Sequence, residues 1–594
     1  MADELELVRR KYQEERDRRI RRDGNEQYRA VDEQELKHYV FDPYVEPGFT
    51  RDPRSDEVEV AVIGGGFGGM YAAARLIEAE ITDFVMLEKA GDFGGTWYWN
   101  RYPGAQCDIE AYIYLPFLEE TGYMPKEKYS FQPEIYEHAQ RIGKHYGLYE
   151  KALFQTQVKE IRWLEDEARW LITTDRDDAL RARYVVMSNG PLNRPKLPAL
   201  QGIEAFKGHT FHTSRWDYDY TGGGPEGGLD KLSDKRVGII GTGATAIQSV
   251  PHLGQWAKEL YVFQRTPSSV DERGNAPTDS VLASSLKAGW QDERRDNFAA
   301  VVSGVPVGED MVADKWTDIV AKLAAQIASV GSTDLSPEES AELMERADMD
   351  KMNEIRARVD NIVKDPETAE ALKPWYRQFC KRPTFNDDYL PTFNRDNVTL
   401  VDTKGQGVDA ITENGVVVDG VEYELDCLIF ATGFEVGTDY SRRAEFSIVG
   451  RGGKTLTQHW KDGMRTFHGF YSHGFPNCFH MGITQNGLSV NFTSMLDPQA
   501  QHIAYVIKEA TLRQAKTIEP TEDAEAEWVE TIKKLAMGNL EFFEACTPGY
   551  YNNEGSPGSG KGIADQQYGE GPVAFYQLVA DWQKDGSMEG LSLK

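Results

Sequence analysis

Two glycine-rich turns are the first places where this 594-residue chain could do chemistry. The first reads Gly64-Gly65-Gly66-Phe67-Gly68-Gly69 and follows the apolar run 58–63. In a strand–turn–helix of this kind Gly64 allows the tight turn, Gly66 lets a pyrophosphate approach the backbone, and Gly69 lets helix and strand pack closely. The helix predicted over 70–79 offers its free N–H groups and the positive end of its dipole to the phosphates. A strand over 83–87 then ends in Glu88, 22 positions beyond Gly66. An acid at that place accepts hydrogen bonds from a free ribose 2′-hydroxyl. The second turn, Gly241-Thr242-Gly243-Ala244-Thr245-Ala246, follows the strand predicted over 236–240, with Gly241, Gly243 and Ala246 in the corresponding positions. Its next strand, 260–264, ends in Arg265-Thr266 instead of an acid. An Arg there answers a 2′-phosphate. The first unit fits FAD and the second NADPH.

Between the turns stands Phe206-Lys207-Gly208-His209-Thr210-Phe211-His212-Thr213-Ser214-Arg215-Trp216-Asp217. This F-x-G-x-x-x-H-x-x-x-W-D pattern, flanked in order by the two glycine turns, resembles the fingerprint of type I Baeyer–Villiger monooxygenases. The resemblance takes in the stretch from Gly91 through Gly95-Thr96-Trp97 to Gly104, then Cys107-Asp108. It resumes at Gln264-Arg265-Thr266-Pro267, Cys380-Lys381-Arg382 and Ala431-Thr432-Gly433-Phe434.

The resemblance implies an enzyme that uses FAD and NADPH to insert one oxygen atom of O2 beside a ketone carbonyl, giving an ester or lactone through a C4a-peroxyflavin. Arg382 is then the catalytic cation, since a guanidinium stays charged at any working pH and can stabilise oxyanions. Asp108 matches the acid that orients it through a charge-assisted fork. Lys381 joins Arg265 and Thr266 at the 2′-phosphate, and Gly95, Thr96 and Trp97 join the flavin site. Phe206, Gly208, His212, Trp216 and Asp217 are read as conformational linker residues, not catalytic ones. The chain departs from the family at Asp108-Ile109-Glu110-Ala111, where a Ser is common, and at Thr547-Pro548-Gly549-Tyr550-Tyr551, where a Trp is common. If Tyr550 replaces that Trp, the contact over the nicotinamide ribose changes. The charged N-terminal extension and this C-terminal variant resemble the subgroup that acts on bulky cyclic or steroid-like ketones. The competing readings are a flavin monooxygenase oxidising nitrogen or sulfur, and a flavin-bearing protein without turnover.

Those residues need an α/β frame with two Rossmann-like dinucleotide-binding domains. The predicted division is an N-terminal extension over 1–55, a FAD-binding domain beginning over 56–200, and an NADPH-binding domain with the linker fingerprint over 201–272. A helical insertion over 273–375 carries a Ser336-Pro337-Glu338-Glu339 start signal and the apolar stripe Met352, Ile355, Val359 and Ile362. It is assigned no chemistry. The NADPH domain resumes over 376–425, and 426–594 returns to the FAD domain and the C-terminal region. The formal charge of −30 argues against nucleic acid and anionic membrane surfaces as partners. No apolar run approaches the roughly 18 residues of a membrane span. The five cysteines are scattered, with no C-x-x-C and no metal-ligand spacing, and read as those of a cytoplasmic protein.

Overall fold

The computed structural model describes residues 2–31, 34–330, 336–436, 438–558 and 563–594. Strand Glu57–Ile63 is buried along its C-terminal half and pairs in parallel with Phe84–Leu87 on one side and Ala179–Met187 on the other. The apolar run Val60–Ile63 in that half suits a central parallel strand covered on both faces. Helix Phe67–Glu78 lies against this sheet through Met70, Tyr71, Ala72, Ala73, Ala74 and Leu76. The sheet has eight strands and gains Ser447–Val449 and Cys478–His480 from the C-terminal third of the chain. Helix Phe492–Leu512 packs over Phe67–Glu78, where Asp497 receives both Nε and Nη2 of Arg75 at 2.7 Å.

The second sheet runs Val398–Asp402, Glu259–Gln264, Arg236–Ile240, Cys427–Phe430 and His209–His212, all parallel. The linker fingerprint is thus the edge strand of this sheet. The boundary expected at residue 426 falls one strand too early. Cys427–Phe430 sits beside Arg236–Ile240, because strand order in an α/β sheet need not follow chain order.

The region 273–375 is helical among its described residues, with helices including Trp290–Val302 and Pro337–Ile362. The latter starts with the expected reciprocal cap, Glu339 N–H donating to Ser336 Oγ at 3.2 Å and Ser336 N–H to Glu339 Oε2 at 2.8 Å. The N-terminal extension opens with helix Ala2–Arg19, whose Arg9 makes a fork to Glu345 of the insertion. It continues to a short strand, Tyr28–Arg29, antiparallel to Leu197–Pro198.

Cys380 and Cys546 form a disulfide across 166 positions, while Cys107, Cys427 and Cys478 are buried and free. Spacing carries no trace of so distant a pairing. Among the described residues no helix is long and apolar enough to cross a membrane.

Candidate functional site

A cleft opens at the first glycine turn, lined among others by Gly64, Gly66, Glu88, Gly95, Thr96 and Trp97. Gly64 has φ +113°, and a Cβ there would lie 2.3 Å from the carbonyl oxygen of Ser188. A Cβ on Gly69 would strike the Gly64 carbonyl at 1.9 Å, which is the close helix–strand packing expected of it. Gly66 and Gly95 face each other so closely that a Cβ on Gly95 would sit 2.7 Å from the Gly66 Cα. Glu88 is buried at the strand end, where it accepts from Gly65 N–H at 2.5 Å and Ala90 N–H at 2.7 Å. Burial raises its carboxyl above the usual range, opposed by those two N–H groups. A carboxylate has about four acceptor positions, so two donors leave room for a ribose hydroxyl. These residues fit FAD.

At the second turn Gly241 repeats the geometry of Gly64, with φ +115° and the Ala431 carbonyl oxygen 2.4 Å from a notional Cβ. Ala246 is fully buried in helix Ala244–Trp256. Gly243 caps that helix, and a Cβ there would meet nothing within 4 Å. The space above it is open to a ligand. Thr266 has a buried Oγ with no hydrogen-bond partner among the described residues, although its carbonyl accepts from Thr242 Oγ at 2.8 Å. An orphaned hydroxyl beside Arg265 and an open helix N-terminus fit NADPH.

Arg265 itself is engaged from both ends of the chain. Its Nη1 donates to Gln27 Oε1 and, at 3.4 Å, to the Tyr28 hydroxyl, while Nη2 lies 3.5 Å from Glu554 Oε2. Lys381 Nζ lies beside Gly549 at the start of the same C-terminal turn. Burial, with help from Arg265, pushes the Lys381 ammonium down to about 8. The backbone at Lys381 is extended, with φ −132° and ψ 162°, so successive side chains diverge. Lys381 faces this cluster and Arg382 faces another.

Arg382 donates to Asp108 through Nε at 3.2 Å and Nη2 at 2.6 Å, so the two residues expected to meet do meet. Nη1 has no hydrogen-bond partner among the described residues. Burial works against the guanidinium charge, but Asp108 outweighs it and holds the group above its usual range. Tyr550 and Tyr551 lie within electrostatic reach, with rings 4.4 Å apart and Tyr550 about half exposed. The cleft at the first turn is not lined by this pair; it reaches Trp97 and Tyr114, whose indole N–H and hydroxyl are joined at 2.9 Å.

Two partners of the pair were missed. Trp316 lies in the insertion that was assigned no chemistry, yet its ring covers Arg382 at 5.1 Å and its Nε1–H donates to the Asp108 carbonyl at 2.8 Å. Arg273, buried, places its charge near Asp108 and donates to Gln106 Oε1. Nothing local to either residue marks it.

The linker residues are packed. His212 is fully buried, joined to Ser214 Oγ at 2.8 Å, and pushed down to about 3 by burial and then by Arg215. It is neutral near pH 7. Trp216 donates to Thr221 Oγ at 3.0 Å, and Asp217 caps the next turn through Tyr220 N–H while meeting His209 Nε2 at 2.8 Å. Phe206 and the Asp426 carbonyl close on Gly208, leaving no room for a side chain.

Residues 62–125 match the family model described as an NAD(P)-binding Rossmann-like domain. The chain is 52% identical to pentalenolactone D synthase of Streptomyces arenae over 100% of both proteins. It is 50% identical to a Baeyer-Villiger monooxygenase of Streptomyces coelicolor, covering 98% of this chain and 96% of that one. Among solved structures it is similar to a polycyclic ketone monooxygenase of the fungus Thermothelomyces thermophila, with a TM-score of 0.91 and 40% identity over 100% and 99% of the two chains.

Proposed function

The chain belongs to the Baeyer–Villiger monooxygenase family, and we propose that its Asp108–Arg382 pair serves the oxygen-transfer step on a bulky cyclic ketone. FAD and NADPH are its cofactors. The overall reaction consumes a ketone, O2, NADPH and a proton and yields an ester or lactone, NADP+ and water. The flavin, when bound and reduced, supplies the electrons that activate O2; the chain supplies binding, orientation and charge.

Gly64, Gly66, Gly69, Gly95, Thr96 and Trp97 would hold the flavin dinucleotide, with Glu88 on its ribose. Gly241, Gly243 and Ala246 would seat the second pyrophosphate, and Arg265, Thr266 and Lys381 the 2′-phosphate. The observation that carries the catalytic reading is the fork from Arg382 to Asp108 with Nη1 left over. Asp108 fixes the guanidinium plane, so Nη1 can meet negative charge developing on oxygen without reorganising. The names of the relatives, a pentalenolactone D synthase and a polycyclic ketone monooxygenase, support a large, ring-containing substrate.

The test is a mass-spectrometric screen of the FAD-loaded enzyme with NADPH against polycyclic, steroid, macrocyclic and monocyclic ketones, with an amine and a thioether alongside. The expected result is a product one oxygen heavier than the ketone that base hydrolyses to a hydroxy acid. N-oxide or S-oxide alone, with no ester from any ketone, would overturn the assignment.

A further inference from the structure

Four distant stretches of chain converge around Arg265. Gln27 and Tyr28 come from the N-terminal extension, Lys196 from the segment before the linker, Lys381 from the arginine segment and Glu554 from the C-terminal turn. Pairing of Tyr28–Arg29 with Leu197–Pro198 sets Tyr28 beside Lys196, and the buried Lys196 ammonium lies 3.5 Å from the centre of the Tyr28 ring. The Tyr28 hydroxyl then donates to Glu554 Oε1 at 3.1 Å, and Gln27 Nε2 reaches Oε2 at 3.5 Å.

Neither Lys196 nor Lys381 has a side-chain hydrogen bond or ion pair among the described residues. Both ammonium groups are pushed down from their ordinary range, first by burial, with Arg265 adding to it. The acids near Lys196 are Glu554 and Glu435, and Glu435 is already joined to Arg442 at 2.6 Å. Three cations therefore share one carboxylate. Lys196 is buried and Arg265 and Lys381 are partly buried, and positive charge so placed and short of partners is costly, so the cluster favours an added anion carrying about two negative charges.

We propose that Lys196 is a third cation for the NADPH 2′-phosphate, held in place by the Tyr28 ring of the N-terminal extension, and that Glu554 occupies the cluster until the phosphate takes over its cations. This rests on the reading that Arg265 and Lys381 bind that phosphate. The extension is then part of the nucleotide site. Glu554 acts as a built-in competitor that lowers affinity for any nucleotide arriving with a 2′-phosphate.

The experiment is isothermal calorimetry on the FAD-loaded enzyme with adenosine 2′,5′-bisphosphate and with AMP, which differ only in the 2′-phosphate. Lys196→Met is expected to weaken the bisphosphate about tenfold and leave AMP unchanged, with Lys196→Arg restoring most of the loss. Glu554→Gln is expected to tighten the bisphosphate several-fold, again with AMP unchanged. Loss of both nucleotides equally in Lys196→Met, or no loss of either, overturns the role of Lys196. Unchanged or weaker bisphosphate binding in Glu554→Gln overturns the competitor role. Arg265→Ala separates the layers. If it leaves the bisphosphate preference intact, the underlying assignment of the 2′-phosphate fails. If it abolishes the preference while Lys196→Met does not, only the role of Lys196 falls.

Discussion

Replacing Arg382 with Ala should separate the two halves of the reaction. The guanidinium spends Nε and Nη2 on Asp108 and keeps Nη1 unpartnered among the described residues, so the variant removes one positioned cationic donor. It leaves both glycine turns and the Arg265 cluster in place. Loss of one donor aimed at developing oxyanion charge costs about 2.7–4 kcal/mol, a 10²–10³-fold drop in rate. The Arg382 side chain is 33% exposed, so water replaces part of the lost stabilisation and the lower end, roughly 100-fold, is expected. The charge of the buried Arg273 stays within electrostatic reach of Asp108 after the change. The assay is a rapid-mixing measurement of flavin bleaching by NADPH beside chromatographic measurement of ester at saturating NADPH. Bleaching should stay readily measurable while ester formation collapses and the melting temperature holds. Undiminished ester yield in a folded variant would take Arg382 out of the mechanism. Equal loss of bleaching would move its role to the nucleotide.

Trp316→Phe keeps a ring over Arg382 but loses the N–H to Asp108, and Trp316→Leu loses both. With about 0.5–1.5 kcal/mol for the hydrogen bond and a similar amount for the cation–ring contact, kcat should fall a few-fold in the first and roughly 10- to 30-fold in the second, at unchanged KM for NADPH. A shift in KM alone would refute the positioning role. The double variant Cys380→Ser with Cys546→Ser opens a closure of 166 positions and should lower unfolding stability by about 2–5 kcal/mol in calorimetry, with non-reducing peptide maps locating the bridge. An unchanged melting temperature would speak against a structural bridge. Acid should destabilise the fold through its buried neutral histidines. Burial pushes His138 down to about 4 and His212, His468, His480 and His502 down to about 3. Unfolded, these groups titrate near 6.5 and bind protons that the folded protein refuses, so their contribution is intact above that pH and is lost as pH falls from 6.5 toward 4. The slope is on the order of 1.4 kcal/mol per pH unit for each histidine. Urea midpoints that stay level between pH 7 and pH 5 would contradict it.

Both glycine turns, with their flanking strands and helices, were legible because their signals are local. A strand, a glycine turn, a helix and the residue ending the next strand lie within about thirty positions, and each type has one physical reason to be there. On that basis alone Glu88 is proposed for a ribose and Arg265 for a 2′-phosphate. What surrounds Arg265 was not legible: Gln27 precedes it by 238 positions, and Glu554 comes from the far end of the chain. The insertion shows the same divide. Its helical stripe and the Ser336 cap are short-range patterns and appear as read. Trp316 sits just before helix Asp318–Val330, where no pattern distinguishes a residue packed on its own helix from one laid over an arginine 66 positions away. The placement of Cys427–Phe430 and the Cys380–Cys546 bridge escaped for a related cause, since sheet order and disulfide connectivity are decided by the fold as a whole.

A chain of net charge −30 that uses two phosphate-bearing cofactors poses no contradiction once the charges are placed. On the proposed reading the pyrophosphate seats are backbone: Gly64 and Gly241 hold positive φ, and the helices behind them present N–H groups that no surface acidity can remove. The proposal calls for side-chain cations at two spots, and one extended segment serves both, with Lys381 turned to the Arg265 cluster and Arg382 to Asp108. Each spot also contains a carboxylate, Glu554 in the first and Asp108 in the second. The two acids differ in what they leave over. Asp108 takes two donors of one guanidinium and frees the third, which fixes the direction of the remaining charge. Glu554 is one acid among three cations and leaves the cluster electropositive, which suits it to the dianion proposed above.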